Sequence, residues 1–424
     1  MFSPALRDAL SVATIVSGLF AFTGSAPAAE LTFWSMWNDL EPQAKALQTI
    51  MSNYTKAHPE TAFKAVWNGR QNQTKLRGAL QAGTSVDFMD QDGDQLAGGL
   101  QKEGLGYQLD GEVDDAFKGA FLPGAFDIYS AGGKHYQIPY IYNTVNFWYN
   151  KDMMKEAGAQ PPKTWTDLIA ICAAVKKLDK HALVIESNNA DYNLLYFSQL
   201  LERALGSGVV MKLFEDKSGA AWSNPAVLAA AKRERELWDA DCIAKDARGF
   251  QWPAGQQTIA LGETMGELVG SWLPSELLDS AGKDFPWGAF NFPDVEGGAG
   301  KSTDLQVALL SMMVLKNSPH AKEAVSFLKY LMSEEAQKVL VDQGFVGVTR
   351  KGVAWPAVLS DAYNSASNAT ALSNFAGGLN LNHADFYSTV FKPEHNKMFL
   401  GQTTPEQFVE TMVAKTKEYW ATNP

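Results

Sequence analysis

The chain has 424 residues, more than a single hydrophobic core usually holds, so two lobes are expected. Its composition is that of a globular protein, 46% hydrophobic and 20% charged. A net charge of -11 argues against nucleic acid or an anionic membrane surface as partner.

At the N-terminus, Arg7 precedes a mostly apolar run from Ala9 to Phe22, followed by small residues. Ala26-Pro-Ala28 fits the small-x-small rule for signal cleavage, so residues 1–28 are expected to be a signal peptide cut after Ala28. The apolar run is short for a membrane span, and no Cys near the cut offers a lipid anchor. The mature protein is therefore expected in the periplasm. The two cysteines, Cys172 and Cys242, leave open a disulfide or two buried thiols. Two Cys and 6 scattered His show no metal-ligand spacing, so neither a metal nor a cofactor is expected.

The first elements repeat strand, loop and helix. Residues 31–34 read as a strand running into the loop 35–39. Ala44, Leu47, Met51 and Tyr54 then follow helical spacing. Residues 62–67 form a second strand with the loop 68–72, and 74–82 a second helix. Residues 85–89 form a third strand ending in Asp90-Gln-Asp-Gly-Asp94. This is the pattern of an α/β lobe with a largely parallel sheet. Right-handed crossovers bring the loops 34–39, 68–72 and 90–94 to one sheet edge, where such folds bind ligands. Their aromatic, amide, carboxylate and guanidinium groups suit a hydroxyl-rich molecule. Rings stack on apolar sugar faces, and planar polar groups pair with hydroxyls.

Residues 137–150 form a long extended run of alternating aromatic residues and Asn, read as a crossing from one lobe to the other. Thr164 and Asp167 have capping-box spacing, with Leu168, Cys172 and Val175 as the buried stripe behind them. A strand over 183–185, helices from Asp191 and Asn224, and a short strand or turn at 256–261 build a second, helix-rich lobe. Residues 287–293 read as the return crossing. Residues 305–315 read as strand, 319–340 as an amphipathic helix pair, and 345–350 as a further extended crossing. A capping box at Thr404 opens the last helix. The lobes are expected to comprise 29–142 with 292–345, and 143–291 with 346–424.

Several motifs occur in a telling order. They are Phe33-Trp34, Lys75-Leu-Arg-Gly-Ala-Leu-Gln-Ala-Gly-Thr-Ser-Val-Asp87, Ile138-Pro-Tyr140 with Phe147-Trp-Tyr-Asn-Lys151, Gly270-Ser-Trp272, and Ser326-Phe-Leu-Lys-Tyr-Leu-Met-Ser-Glu-Glu-Ala-Gln337. Together they resemble family 1 of the extracellular solute-binding proteins of ABC importers, the sugar-binding group that includes maltose-binding protein. The resemblance covers essentially the whole mature chain. It implies an α/β periplasmic-binding-protein fold of type II kind, with two lobes joined by hinge crossings. It further implies a monomer that binds a small carbohydrate in the interlobe cleft, closes on it and delivers it to the membrane subunits of an ABC permease. Thr303-Asp304 stand where relatives often carry glycines, which makes Asp304 either a replacement contact or a capping group.

The resemblance marks Trp272, presented by Gly270-Ser271, as the stacking aromatic of the cleft. The residues themselves add further candidates, each with a structural alternative. Trp34 and Trp37 suit stacking or core packing. Asn38 and Asp39 suit hydroxyl binding or helix capping. Asn68 and Arg70 lie on the second loop, and a loop Arg holds a carboxylate or two vicinal hydroxyls unless it is solvated. Asp90 and Asp92 suit hydroxyl binding or turn formation. Asn143 and Asn146 are amides on a buried segment and need partners. Tyr192 with Asn193, and Trp252, Arg350 and Trp355, complete the set.

Catalytic readings fare poorly. Glu263 and Glu267 invite a glycosidase reading, but exposed Glu pairs are common. Gly297-Gly-Ala-Gly-Lys-Ser302 imitates a phosphate loop but has Val295 where the first Gly belongs. A secreted glycosidase or lyase, and a binding protein for a sugar acid read by Arg70 or Arg350, are the rival functions.

Overall fold

The computed structural model describes residues 29–423, so the expected signal peptide lies outside the described residues. The first lobe opens with β1 (Ala29–Ser35), α1 (Pro42–Ala57), β2 (Thr61–Trp67), α2 (Asn72–Gln81) and β3 (Phe88–Asp92). β1 pairs in parallel with both β2 and β3. Pro42 begins α1, where a missing N–H costs nothing, and Leu47, Ile50, Met51 and Tyr54 form its buried stripe.

β4 (Ile138–Asn150) is the long run read as a crossing, and it is one. In the second lobe follow α3 (Trp165–Lys176), β5 (His181–Leu183), α4 (Ala190–Leu205), α5 (Pro225–Asp239), α6 (Ala254–Ala260), β6 (Thr264–Gly270) and β7 (Trp287–Phe290). β8 (Asp304–Val314), α7 (Ala321–Leu331) and α8 (Glu334–Gly344) return to the first lobe. The chain ends with α9 (Ser360–Ser367), β9 (Ala371–Asn374), α10 (Lys392–Phe399) and α11 (Pro405–Thr422). The capping boxes at Thr164 and Thr404 both form.

Two strands carry the chain between lobes. β4 pairs with β8 through Ile138–Thr144, then with β6 from Val145 and with β7 from Phe147. β8 pairs with β9 through Asp304–Val307 and with β3 through Leu310–Val314. The path of the sheet is therefore β2-β1-β3-β8-β4-β6-β5. A third passage follows α8. There the Gly347 carbonyl accepts the Tyr142 N–H at 2.9 Å and Thr349 Oγ1 donates to the Pro139 carbonyl at 2.7 Å. A Cβ on Gly347 would come within 2.6 Å of the Tyr142 carbonyl, so only Gly lets the passage lie this close to β4.

Three expectations change. The return crossing is β8, not 287–293, because β7 pairs within the second lobe and Phe292 and Val295 join that lobe's core. Residues 256–261 belong mainly to α6 rather than to a strand or turn. β3 runs on to Asp92 because its pairing with β8 holds Asp90 and Asp92 extended. One core joins Leu47, Phe88 and Leu328 of the first lobe to Trp148 and Leu273 of the second. Another, around Phe147, Phe197 and Trp222, fills the second lobe.

Cys172 and Cys242 form a disulfide, with their Cα atoms 4.8 Å apart, that ties α3 to the segment after α5. It closes a separation of 70 residues, so its loss frees much chain in the unfolded state. The Cys172→Ser, Cys242→Ser double variant is expected to lose about 2–5 kcal/mol of stability. Urea unfolding of the second lobe, with and without reductant, measures this loss, and reductant should leave the double variant unaffected.

Candidate functional site

A cavity of about 840 Å³ lies between the lobes, within the range of small-molecule sites. Its first-lobe wall is built by the three loops the sequence brought to one edge: Met36 and Trp37 after β1, Arg70 after β2, and Gln91, Asp92 and Asp94 at the end of β3. Trp37 is fixed by its edge. Its Nε1 donates to Tyr140 Oη at 3.0 Å, and that hydroxyl donates to Asp90 Oδ2 at 2.8 Å. Asp90 also accepts the Met36 N–H at 2.7 Å. Burial pushes the Asp90 carboxyl up to about 6, offset in part by these donors. Asp90 is thus a clamp that presents Trp37, and not itself part of the cavity wall.

Gly69, at φ 67, turns the chain so that Arg70 lies over the Trp37 ring, 4.6 Å from its centroid. The Arg70 guanidinium grips Glu41 through both terminal nitrogens, at 2.7 and 3.1 Å, and donates to the Met36 carbonyl at 2.8 Å.

On the second-lobe wall, Trp272 follows β6. Its Nε1 donates to Tyr192 Oη at 2.9 Å, and Tyr192 sits in the first turn of α4. The two rings lie 6.0 Å apart, and Phe375 flanks Trp272 at 6.1 Å. A Cβ on Gly270 would strike the Trp272 ring at 2.1 Å, so the glycine before Ser271 makes room for the indole. Asp191 accepts from Tyr387 Oη and from Lys392 Nζ at 3.1 Å, joining α4 to the segment that leads into α10.

The floor is the hinge. Asn143 lines the cavity beside Ala308 and Leu309 of β8, and its Oδ1 accepts the Ser271 hydroxyl at 3.3 Å. Asn146 does not reach the cavity. It is fully buried, and its amide donates to Asn291 Oδ1 at 2.8 Å while its Oδ1 accepts from Thr144. It locks the crossing to the loop after β7.

The cavity is electronegative. Five carboxylates (Glu41, Asp92, Asp94, Asp191, Glu276) face two cations, Arg70 and Lys392. Burial raises Asp92, and burial together with the neighbouring Asp92 charge pushes Asp94 up to about 7. Burial likewise brings Glu276 to about 7, although Gln256 donates to it at 3.1 Å and Arg70 acts on it from the opposite lobe.

Of the candidate residues, Trp37, Arg70, Asn143, Tyr192 and Trp272 converge on this cavity, with Asp92 beside them. The others lie elsewhere, for identifiable reasons. Trp34 packs against the small buried cluster of Leu76, Met89 and Leu96. Asn38 and the neighbouring Asp39 are exposed, and Asn38 is tied to Glu41 at the entry to α1. Asn68 bonds Asn72 and holds the turn before α2. Trp252 is an exposed residue outside the cavity lining, its N–H bonded to Asn188. Arg350 donates to the Met332 carbonyl at the end of α7, and Trp355 packs on Tyr142. Asn193 bonds the Glu186 carbonyl and Asn396 inside the second lobe. Asp304 accepts from the Lys301 N–H and Thr370 as a capping group. Glu267 is a buried β6 residue and not one face of a helix.

Sequence reasoning missed Gln91, Asp94, Asp191, Glu276, Phe345, Phe375, Tyr387 and Lys392. Phe345 alone carries a backbone mark: it ends α8 at φ 54, a left-handed conformation, with its ring 51% exposed at the cavity. Among the described residues, no group of three or more His, Cys, Asp or Glu forms a metal-ligand set, and no helix is long and apolar enough to cross a membrane.

Comparison with known proteins gives a consistent picture. A profile of the family described as bacterial extracellular solute-binding protein matches residues 37–338. A putative binding protein of Brucella abortus is 23% identical over 281 residues, 65% of this chain and 66% of that protein, so that match spans just under two thirds of the relative. The lactose-binding protein of Rhizobium radiobacter is 25% identical over 82% of this chain and 81% of its own length. Among solved structures, the apo form of RafE from Streptococcus pneumoniae superposes with a TM-score of 0.79 at 19% identity, covering 94% of this chain and 99% of that one. RafE in complex with raffinose superposes at 0.73 and 20% identity, over 92% and 99%. The two-lobed α/β fold of those structures is the fold found here. With the family profile spanning most of the described residues and the interlobe cavity formed by both lobes, this chain belongs to the bacterial extracellular solute-binding proteins.

Proposed function

We propose that the chain is the extracellular binding component of an ABC importer, taking a carbohydrate into the interlobe cavity and handing it to the membrane permease. The observation that carries this reading is the cavity itself. Two anchored indoles, Trp37 and Trp272, face it from opposite lobes, with amides and carboxylates between them. Aromatic faces with planar polar groups at their edges suit a sugar ring. Relatives named for lactose and for diacetylchitobiose, and a neighbour solved with raffinose, support the ligand class. Trp37, Arg70, Asn143, Tyr192 and Trp272 are the proposed contacts. Closure proceeds by rotation about β4, β8 and the passage after α8, the ligand favouring the closed form because only there do both walls touch it. The protein acts as a monomer outside the cytoplasm, where the disulfide is stable. It performs no chemistry on its ligand and needs no cofactor.

The test is a thermal-shift and tryptophan-fluorescence screen over sugars and polyols, with the ligand recovered afterwards. A saturable response with unaltered ligand is expected. Turnover of the ligand, or no response to any carbohydrate, would overturn the reading.

Phe345 supplies a separate check. Its left-handed backbone is costly for a residue other than Gly, and its half-exposed ring lines the cavity. Phe345→Gly is expected to gain about 0.5–1 kcal/mol of stability without ligand. The same change is expected to weaken ligand binding about tenfold through the lost aromatic wall. Chemical unfolding and calorimetric titration of the one variant read the two opposite effects.

A further inference from the structure

The hydrogen-bonding capacity of the cavity is lopsided. Its indole and cationic donors are already engaged within the protein: Trp37 Nε1 on Tyr140, Trp272 Nε1 on Tyr192, Arg70 on Glu41 and Met36, and Lys392 on Asp191, which leaves the Asn143 amide and the Tyr192 hydroxyl as neutral donors. Its acceptors are not. Gln91 is 1% exposed and lines the cavity, yet its Oε1 has no partner among the described residues. Leaving such an atom unpaired is costly, and a ligand donor relieves it. Asp92 receives Gln95 Nε2 at 2.9 Å, Asp94 the Gln95 N–H at 2.7 Å, and Glu276 the Gln256 amide at 3.1 Å. In each case only one carboxylate oxygen is engaged among the described residues.

Charge points the same way. Arg70 answers Glu41 and Lys392 answers Asp191, which leaves Asp92, Asp94 and Glu276 without a paired cation. Among the described lining residues, an anionic ligand meets only two cations, each already paired, and three acids without a salt-bridge partner. A neutral sugar fills acceptors with hydroxyl donors but brings no positive charge to a cavity that holds more acids than bases. A protonated amine supplies both, with aromatic faces nearby to favour it further.

We propose that the ligand is a carbohydrate bearing a protonated amine, an amino sugar or amino polyol whose ammonium group meets the Asp92–Asp94 pair on the first-lobe wall, with Glu276 adding negative charge from the second-lobe wall. This rests on the carbohydrate reading of the same cavity and sharpens it. The ammonium also moves protons. Asp94 is faced by Asp92, Gln95, Asp191, Tyr129 and Tyr387, and Glu276 by Gln256, Arg70, Glu186, Glu267 and Tyr192. Both carboxyls stand near 7 in the empty cavity, so a bound cation favours their charged forms and binding at neutral pH releases protons.

The test is calorimetric titration at pH 7 in two buffers of different ionisation enthalpy. The probes are glucosamine, galactosamine and the β-1,4-linked glucosamine disaccharide, against glucose, galactose, cellobiose and glucuronate. The amines are expected to bind at least tenfold tighter than their neutral parents, with net proton release seen as a buffer-dependent heat. Glucuronate is expected not to bind. In the isosteric variants Asp94→Asn and Glu276→Gln, the ratio between amine and parent should shrink and the proton release should fall. Neutral sugars binding as tightly as the amines, without proton exchange, would overturn the charge inference and leave the carbohydrate reading standing. Silence across every sugar would remove both.

Discussion

Trp272→Ala is expected to weaken carbohydrate binding by about 2–3 kcal/mol, on the order of 30- to 150-fold, while the protein stays folded. The indole is held on its polar edge by Tyr192, on its rim by Phe375 and from behind by the bare backbone of Gly270. That support fixes its plane before any ligand arrives, so stacking costs little conformational entropy. The ring is only partly buried and sits at the edge of the core, so its removal leaves a shallow gap and not a closed cavity. Tyr192→Phe keeps both rings and removes only the hydroxyl that receives Nε1. It should cost less, about 1 kcal/mol of affinity, as expected of one hydrogen bond. Calorimetric titration with the ligand found in the screen, beside thermal unfolding without ligand, separates the two effects. An affinity for Trp272→Ala within twofold of the parent would remove the indole from the site.

The first-lobe wall was the most legible part of the chain. Its elements repeat strand, loop and helix with local spacing, and the handedness of that unit dictates which ends meet. Trp37, Arg70 and Asp92 therefore came to one edge on local evidence alone. The crossing through β4 was legible for a similar reason, since a buried extended run rich in Asn and Tyr needs partners on both sides. Which Asn faces the cavity was not. Asn143 and Asn146 look alike in sequence, and what separates them is Asn291, 145 residues away, which takes up the second amide. Lys392 and Tyr387 reach Asp191 across some 200 residues from a helical tail without local periodic signature for a site. Asp90 was misread because a carboxylate at a strand end serves equally as ligand contact or as clamp, and only the position of Tyr140 decides between them. Phe345 leaves no trace in sequence because its informative property is a backbone angle.

One buried contact in the second lobe lies outside the cavity lining. Glu234 of α5 and His395 of α10 are both fully buried, with Nε2 lying 3.0 and 3.1 Å from the two carboxylate oxygens. Burial raises the Glu234 carboxyl and the imidazole beside it lowers it, and among the described residues that imidazole is the side chain that bonds it. His395→Ala removes the partner and leaves a carboxylate in an aromatic shell that includes Phe197, Phe391 and Phe408. The expected loss is about 3–5 kcal/mol of stability. Replacing both members with apolar residues, Glu234→Leu with His395→Phe, should restore most of it, because the penalty lies in the orphaned group more than in the lost pair. α10 also carries Lys392, one turn from His395, and Asn396, which bonds Asn193 of α4. The single variant is therefore expected to loosen the Asp191–Lys392 junction and lower affinity together with stability. Urea unfolding of the single and double variants measures the first effect, and titration with the identified ligand measures the second. A single-variant loss under about 1 kcal/mol would show that the pair does not carry this lobe.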